Sequence, residues 1–194
     1  AGVGAFFVLG GAVRRAPLPA GGASAVVTPD ARDGGRVAAA VFRTGNEKPR
    51  VALAFLAELP SRLVARLFVE GAPSVLTLTP DGSEATTVAL AALDQELIAV
   101  TLEARTGMST VHARRISLTG GTPLPAEDAV IWVGGSAQAV TEVALVAGPG
   151  DDSWAFTAIE HDATRFGLAR IRVAKDLSRA PEVFWRDYPN GADP

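Results

Sequence analysis

Cysteine is absent from this chain of 194 residues, which excludes disulfides, thiolate nucleophiles and cysteine-ligated metal centres. Histidine occurs only twice, as His112 and His161, so a serine triad or a histidine-rich zinc site has little to recruit. Gly134-Gly135-Ser136-Ala137-Gln138 lacks the Gly-x-Ser-x-Gly elbow, and neither the P-loop nor the dinucleotide fingerprint occurs. Long apolar runs are lacking as well. The opening run of 13 residues, ending at Val13 and followed by Arg14-Arg15, falls short of the ~20 that cross a bilayer. Residues 5–9 are expected as a buried strand between glycines, the stub of a leader or anchor helix being the other reading. No cofactor and no membrane span are expected.

What is present describes a globular protein. Hydrophobic residues make up 48% and charged residues 20%, enough apolar content to fill a core. The formal net charge is −3, which gives no broad basic footprint, and no nucleic-acid partner is expected. Ala, Val, Gly and Arg are abundant and lysine occurs twice, a composition of GC-rich, bacterial type.

Self-comparison reveals a repeat. Thr28-Pro29-Asp30, six residues, then Val37-Ala38 recurs as Thr79-Pro80-Asp81, six residues, then Val88-Ala89. Residues 51–58 match 98–105, and 61–66 match 109–114; a more worn third copy runs through 140–147, 154–160 and 164–170. Each unit of roughly 50 residues reads as four short strands rich in Val, Leu, Ile, Phe and Thr, bounded by turn formers such as Thr44-Gly45-Asn46 and Thr106-Gly107. Residues 51–69 have helical Ala and Leu content, but Pro60 in the middle favours two strands and a turn.

The expected fold is therefore all-β: a single domain of about twelve short strands in tandem four-stranded units. A prism, a trefoil, a small propeller and a sandwich all fit this count. The units are placed at 24–72, 73–122 and 123–177, after an N-terminal strand or leader stub at 1–23. A C-terminal tail at 178–194 follows, with a short helix expected near 177–188, interrupted by Pro181.

Candidate site residues follow from the repeat. Its Ala-Arg steps put Arg66, Arg114 and Arg170 at matching positions, and an arginine fork suits a carboxylate or phosphate. The plainer reading has each arginine anchoring its own unit through a nearby acid. Phe184-Trp185-Arg186-Asp187-Tyr188 concentrates aromatic residues in the tail, making Trp185, Arg186 and Tyr188 candidates for partner contact or for closing a core. Trp132 and Trp154 are expected in the core. Glu160, His161 and Asp162 form a weak metal or acid–base candidate, and His112 is expected to be structural. The acidic turns at 30–35 and 81–84 lack calcium-loop spacing.

Residues 73–107, with Leu97-Ile-Ala-Val-Thr-Leu-Glu103 at their heart, resemble the extracytoplasmic part of anti-sigma-K-type regulators over about a fifth of the chain. Ala104-Arg105-Thr106-Gly107 stands where that family has Pro and a Gly-Gly-Ser-Pro turn, so the likeness is one of strand chemistry.

The functional expectation is a non-enzymatic β-repeat module that binds a protein partner or self-assembles, as in an envelope, virion or other surface assembly. A lectin-like binder of carbohydrate or acidic ligands is the alternative. A carbohydrate-active enzyme, its carboxylates brought together by folding, comes third. An extracytoplasmic or virion-associated setting is slightly favoured over a cytoplasmic one.

Overall fold

A computed structural model describes residues 4–17, 23–33, 35–45, 47–93, 96–105, 108–118, 123–134, 138–148, 153–161, 165–173 and 179–187. Among these there is no helix. The all-β expectation holds, with fifteen strands in four antiparallel sheets. The first sheet joins β1 (Gly4–Val8), β2 (Ala12–Pro17) and β3 (Ala25–Pro29). The second joins β4 (Val37–Phe42), β5 (Arg50–Leu59), β6 (Arg62–Val69) and the two-residue β7 (Leu76–Thr77). The third joins β8 (Glu84–Leu93), β9 (Glu96–Arg105), β10 (Met108–Ser117) and β11 (Leu124–Gly134). The fourth joins β12 (Gln138–Ala147), β13 (Ser153–His161), β14 (Arg165–Val173) and β15 (Arg179–Asp187). Every sheet is a meander of contiguous chain, each strand pairing with its neighbour in sequence.

The sheets stack face to face in chain order, like a sandwich with extra layers, and do not close into a barrel. Three apolar layers hold the stack. Val13, Leu53, Phe55 and Val64 fill the gap between the first and second sheets. Ala54, Leu67, Leu97 and Ile116 fill the second gap, and Ile98, Val111, Ala155 and Ile171 the third. The two middle sheets are covered on both faces, which explains the unbroken apolar runs of β5 and β9. In β5, Ala52, Ala54 and Leu56 point one way while Leu53, Phe55 and Ala57 point the other, and all six are buried.

The first strand of each meander lies against the sheet before it. Thus β8 touches β4, β5 and β6, and β12 touches β8, β9, β10 and β11. The stack is drawn together along this line of first strands.

The sheets are phased one strand away from the repeat units read from the sequence. The opening strand of each unit joins the preceding sheet: residues 25–29 pair with β2, Leu76–Thr77 with β6, and Leu124–Gly134 with β10. The period is unchanged; the boundary shifts. The expected C-terminal helix is corrected. Arg179–Asp187 is an edge strand paired with β14, and Pro181 lies opposite Ile171. A proline that breaks a helix is tolerated on an edge, where its missing N–H need not join a ladder.

The repeated Thr-Pro-Asp has a structural reason. Thr28 and Thr79 are both buried, at 3% and 4% exposure, and Thr79 Oγ1 accepts the Ala65 N–H at 2.8 Å. Asp30 takes a left-handed φ of 66° and faces Arg66 at 3.7 Å, and Asp81 binds Arg62 at 2.7 Å. Each copy of the motif thus turns the chain between sheets and is held by an arginine of β6.

Candidate functional site

A cleft of about 290 Å³ opens where the starts of β4, β8 and β12 converge. Its lining repeats a sequence pattern across three sheets. Gly35-Arg36-Val37-Ala38, Thr86-Thr87-Val88-Ala89 and Thr141-Glu142-Val143-Ala144 each lead into or along a first strand. From these come Gly35 and Arg36, then Thr86, Thr87 and Val88, then Thr141 and Glu142, all lining the cleft. Leu56 closes the floor, and Arg32 and Asp33 form the wall nearest the first sheet.

Two of these positions are β-bulges. The β8–β9 register slips between Ala85 and Thr87, and the β12–β13 register slips between Val140 and Glu142. Thr86 and Thr141 are the extra residues. A bulge re-aims a side chain that a regular ladder would fix, and both threonines are exposed at the cleft.

The loop bearing Arg32 is pinned at several points. The Ala31 N–H donates to Gly11 O at 2.9 Å, the Arg32 N–H to Leu56 O at 2.7 Å and the Gly35 N–H to Arg32 O at 3.0 Å. Asp33 Oδ1 accepts the Gly11 N–H at 3.3 Å. Gly35 is required by proximity, since a Cβ there would lie 2.9 Å from the Arg32 carbonyl oxygen. Across the mouth, Arg36 Nη1 meets Glu142 Oε2 at 3.2 Å and ties the loop to β12. Both acids of the cleft are thus engaged, whereas the exposed Arg32 guanidinium has no ion-pair partner among the described residues. Arg32 also borders a second opening of about 360 Å³ with Glu58 and Glu84.

A second polar cluster is structural. On the face of the third sheet turned toward the second, Arg114 Nη1 donates to Glu103 Oε1 at 2.7 Å and to Thr101 Oγ1 at 2.6 Å. Thr101 Oγ1 donates to Glu103 Oε1 at 2.7 Å. His112 sits between two carboxylates, Nδ1 at 3.3 Å from Asp128 Oδ1 and Nε2 at 3.7 Å from Glu103 Oε2. Thr101, Glu103 and Arg114 are all buried. The hydroxyl is committed and covered, which fits a core network rather than a nucleophile.

The three arginines matched by sequence are not brought together. Counted from its hairpin turn, Arg66 lies four residues past Arg62 and opposite Phe55, whereas His112 lies four past Met108 and opposite Thr101. Hairpin register therefore makes Arg66 the counterpart of His112. Arg66 faces the first sheet through Asp30, Arg114 faces the second sheet's gap, and Arg170 lies over the Trp154 ring at 4.8 Å. Trp154 adjoins the core residue Ala155 and so points to the opposite, outer face of the last sheet, not into the core as expected. Trp132 does pack against the core of the third gap.

Trp185 and Arg186 are strand residues of β15, opposite Gly167 and Phe166. Tyr188 lies outside the described residues. Glu160 and His161 end β13, opposite Phe166 and Arg165 of β14, while Asp162 lies outside the described residues. Among the described residues no group of three or more His, Asp or Glu side chains is disposed to hold a metal ion.

The cleft was missed in the sequence because its parts are far apart, yet a signal existed: the recurring Val-Ala preceded by small or polar residues at the head of each first strand.

No family model matches this chain, and no curated protein matches it.

Proposed function

We propose that this chain is a non-enzymatic β-repeat module for binding or assembly. The observation that carries the proposal is the outer face of the last sheet, which no other described residue covers. Inner faces of this stack bury aromatic and aliphatic side chains against the next sheet, and the last sheet presents the same chemistry with nothing over it among the described residues. Val146 and Leu168 are 55% and 46% exposed, beside partly exposed Trp154 and Phe156. Contiguous exposed apolar surface of this kind marks interaction sites. Arg170 and Arg172 alternate with core residues along β14 and give the face a polar component, the composition of aromatic and arginine that dominates binding hot spots.

Sedimentation velocity across a range of protein concentration tests this. Self-association is expected, and Leu168→Lys should weaken it at least tenfold while leaving the β-type circular dichroism intact. A chain that stays monomeric throughout and is indifferent to Leu168→Lys would remove the support for self-assembly.

A further inference from the structure

We propose that the cleft at the head of β4, β8 and β12 binds a single acidic sugar residue, a uronate, through Arg32. The inference rests on the binding-module reading and adds a ligand class to it. Three properties of the lining select that class. First, Arg32 offers an exposed planar guanidinium with no ion-pair partner among the described residues, on a loop whose backbone is fastened to β5 and to Gly11. A fork of this shape takes a carboxylate in bidentate fashion.

Second, Thr86, Thr87 and Thr141 line the site; Thr86 Oγ1 donates to Leu102 O at 3.4 Å and is left to accept, whereas the hydroxyls of Thr87 and Thr141 can both donate and accept. Such a set suits a ligand that itself carries several hydroxyls. The two bulges, in equivalent strands of successive sheets, turn a threonine toward the same space. Third, Leu56 and Val88 supply an apolar patch against which the C–H face of a sugar ring can lie.

Charge and size narrow the choice. Arg32 and Arg36 are balanced by Asp33 and Glu142, so the lining is neutral overall and accommodates one negative charge better than the two of a phosphate monoester. A volume of about 290 Å³ is at the small end for a ligand pocket and fits one ring rather than a nucleotide.

Titration calorimetry with glucuronate, galacturonate, glucose and inorganic phosphate tests the assignment. At least one uronate should bind with Kd in the millimolar range or tighter, more tightly than glucose or phosphate. Arg32→Gln should weaken uronate binding about tenfold or more, consistent with loss of a charge-assisted hydrogen bond. Thr86→Val with Thr141→Val should weaken uronate and glucose alike, and Arg43→Gln, on an exposed loop away from the cleft, should change nothing. Absence of binding by either uronate, a phosphate affinity equal to the uronate's, or an unchanged Kd in Arg32→Gln would each overturn the proposal. Sedimentation of the same samples reports association separately. Loss of the sugar result therefore does not imply loss of the assembly result, nor the reverse.

Discussion

At the level of single residues, the most consequential pair is Glu103 and Arg114. Both are buried, and their 2.7 Å contact neutralises two charges that would otherwise be costly to remove from water. Glu103→Gln leaves the guanidinium only the half-exposed Asp128 as a counter-charge, 3.4 Å away, and a loss of about 2–3 kcal/mol in unfolding free energy is expected by urea titration. Replacing the pair together, Glu103→Met with Arg114→Leu, should be far milder because no orphan charge remains. A single-variant loss below about 1 kcal/mol would mean that water reaches the pair. Gly82 offers a contrast. Its φ is +81° with open space around a would-be Cβ, so Gly82→Ala should cost only about 1 kcal/mol of backbone strain.

Among the strands, β5 is the best test of the stack because it is covered on both faces. Phe55 is fully buried between the first two sheets, and Phe55→Ala should destabilise by about 3–5 kcal/mol in the same titration. This strand was legible in advance: Pro60 argued against a helix over 51–69, and the hairpin turns there. The alternation of Ala169, Ile171 and Val173 was legible too, and all three are buried. The last strand was not. Pro181 was read as interrupting a helix, whereas its tolerance depends on β15 being an edge, a fact about the sheet and not about the segment. Trp154 was expected in the core because it falls within a strand; the alternation that places its neighbour Ala155 inside turns it out. The matching of Arg66 with Arg114 failed for a related reason. Sequence similarity aligned Ala-Arg with Ala-Arg, but equivalence in a hairpin is counted from the turn.

For the whole molecule, the repeat announced the number of strands per unit and the period, but not the phase. A strand that opens a sequence repeat can pair backward as readily as forward, and pairing is decided by which edge the short turn delivers it to. The stack also predicts a gradient of protection. Amides of β5 and β9, inside doubly covered sheets, should exchange most slowly, and those of β1 and β15 fastest. Equal protection in β1 and β9 by hydrogen exchange would contradict the layered arrangement.

The strictly local pairing of strands has a bearing on how the molecule comes to exist. Because each meander draws only on adjacent chain, loop-closure costs stay small even in a protein made wholly of strands. Each layer can also be complete before the next one leaves the ribosome. Birth order and stacking order coincide, so every newly made layer finds a finished surface waiting for it.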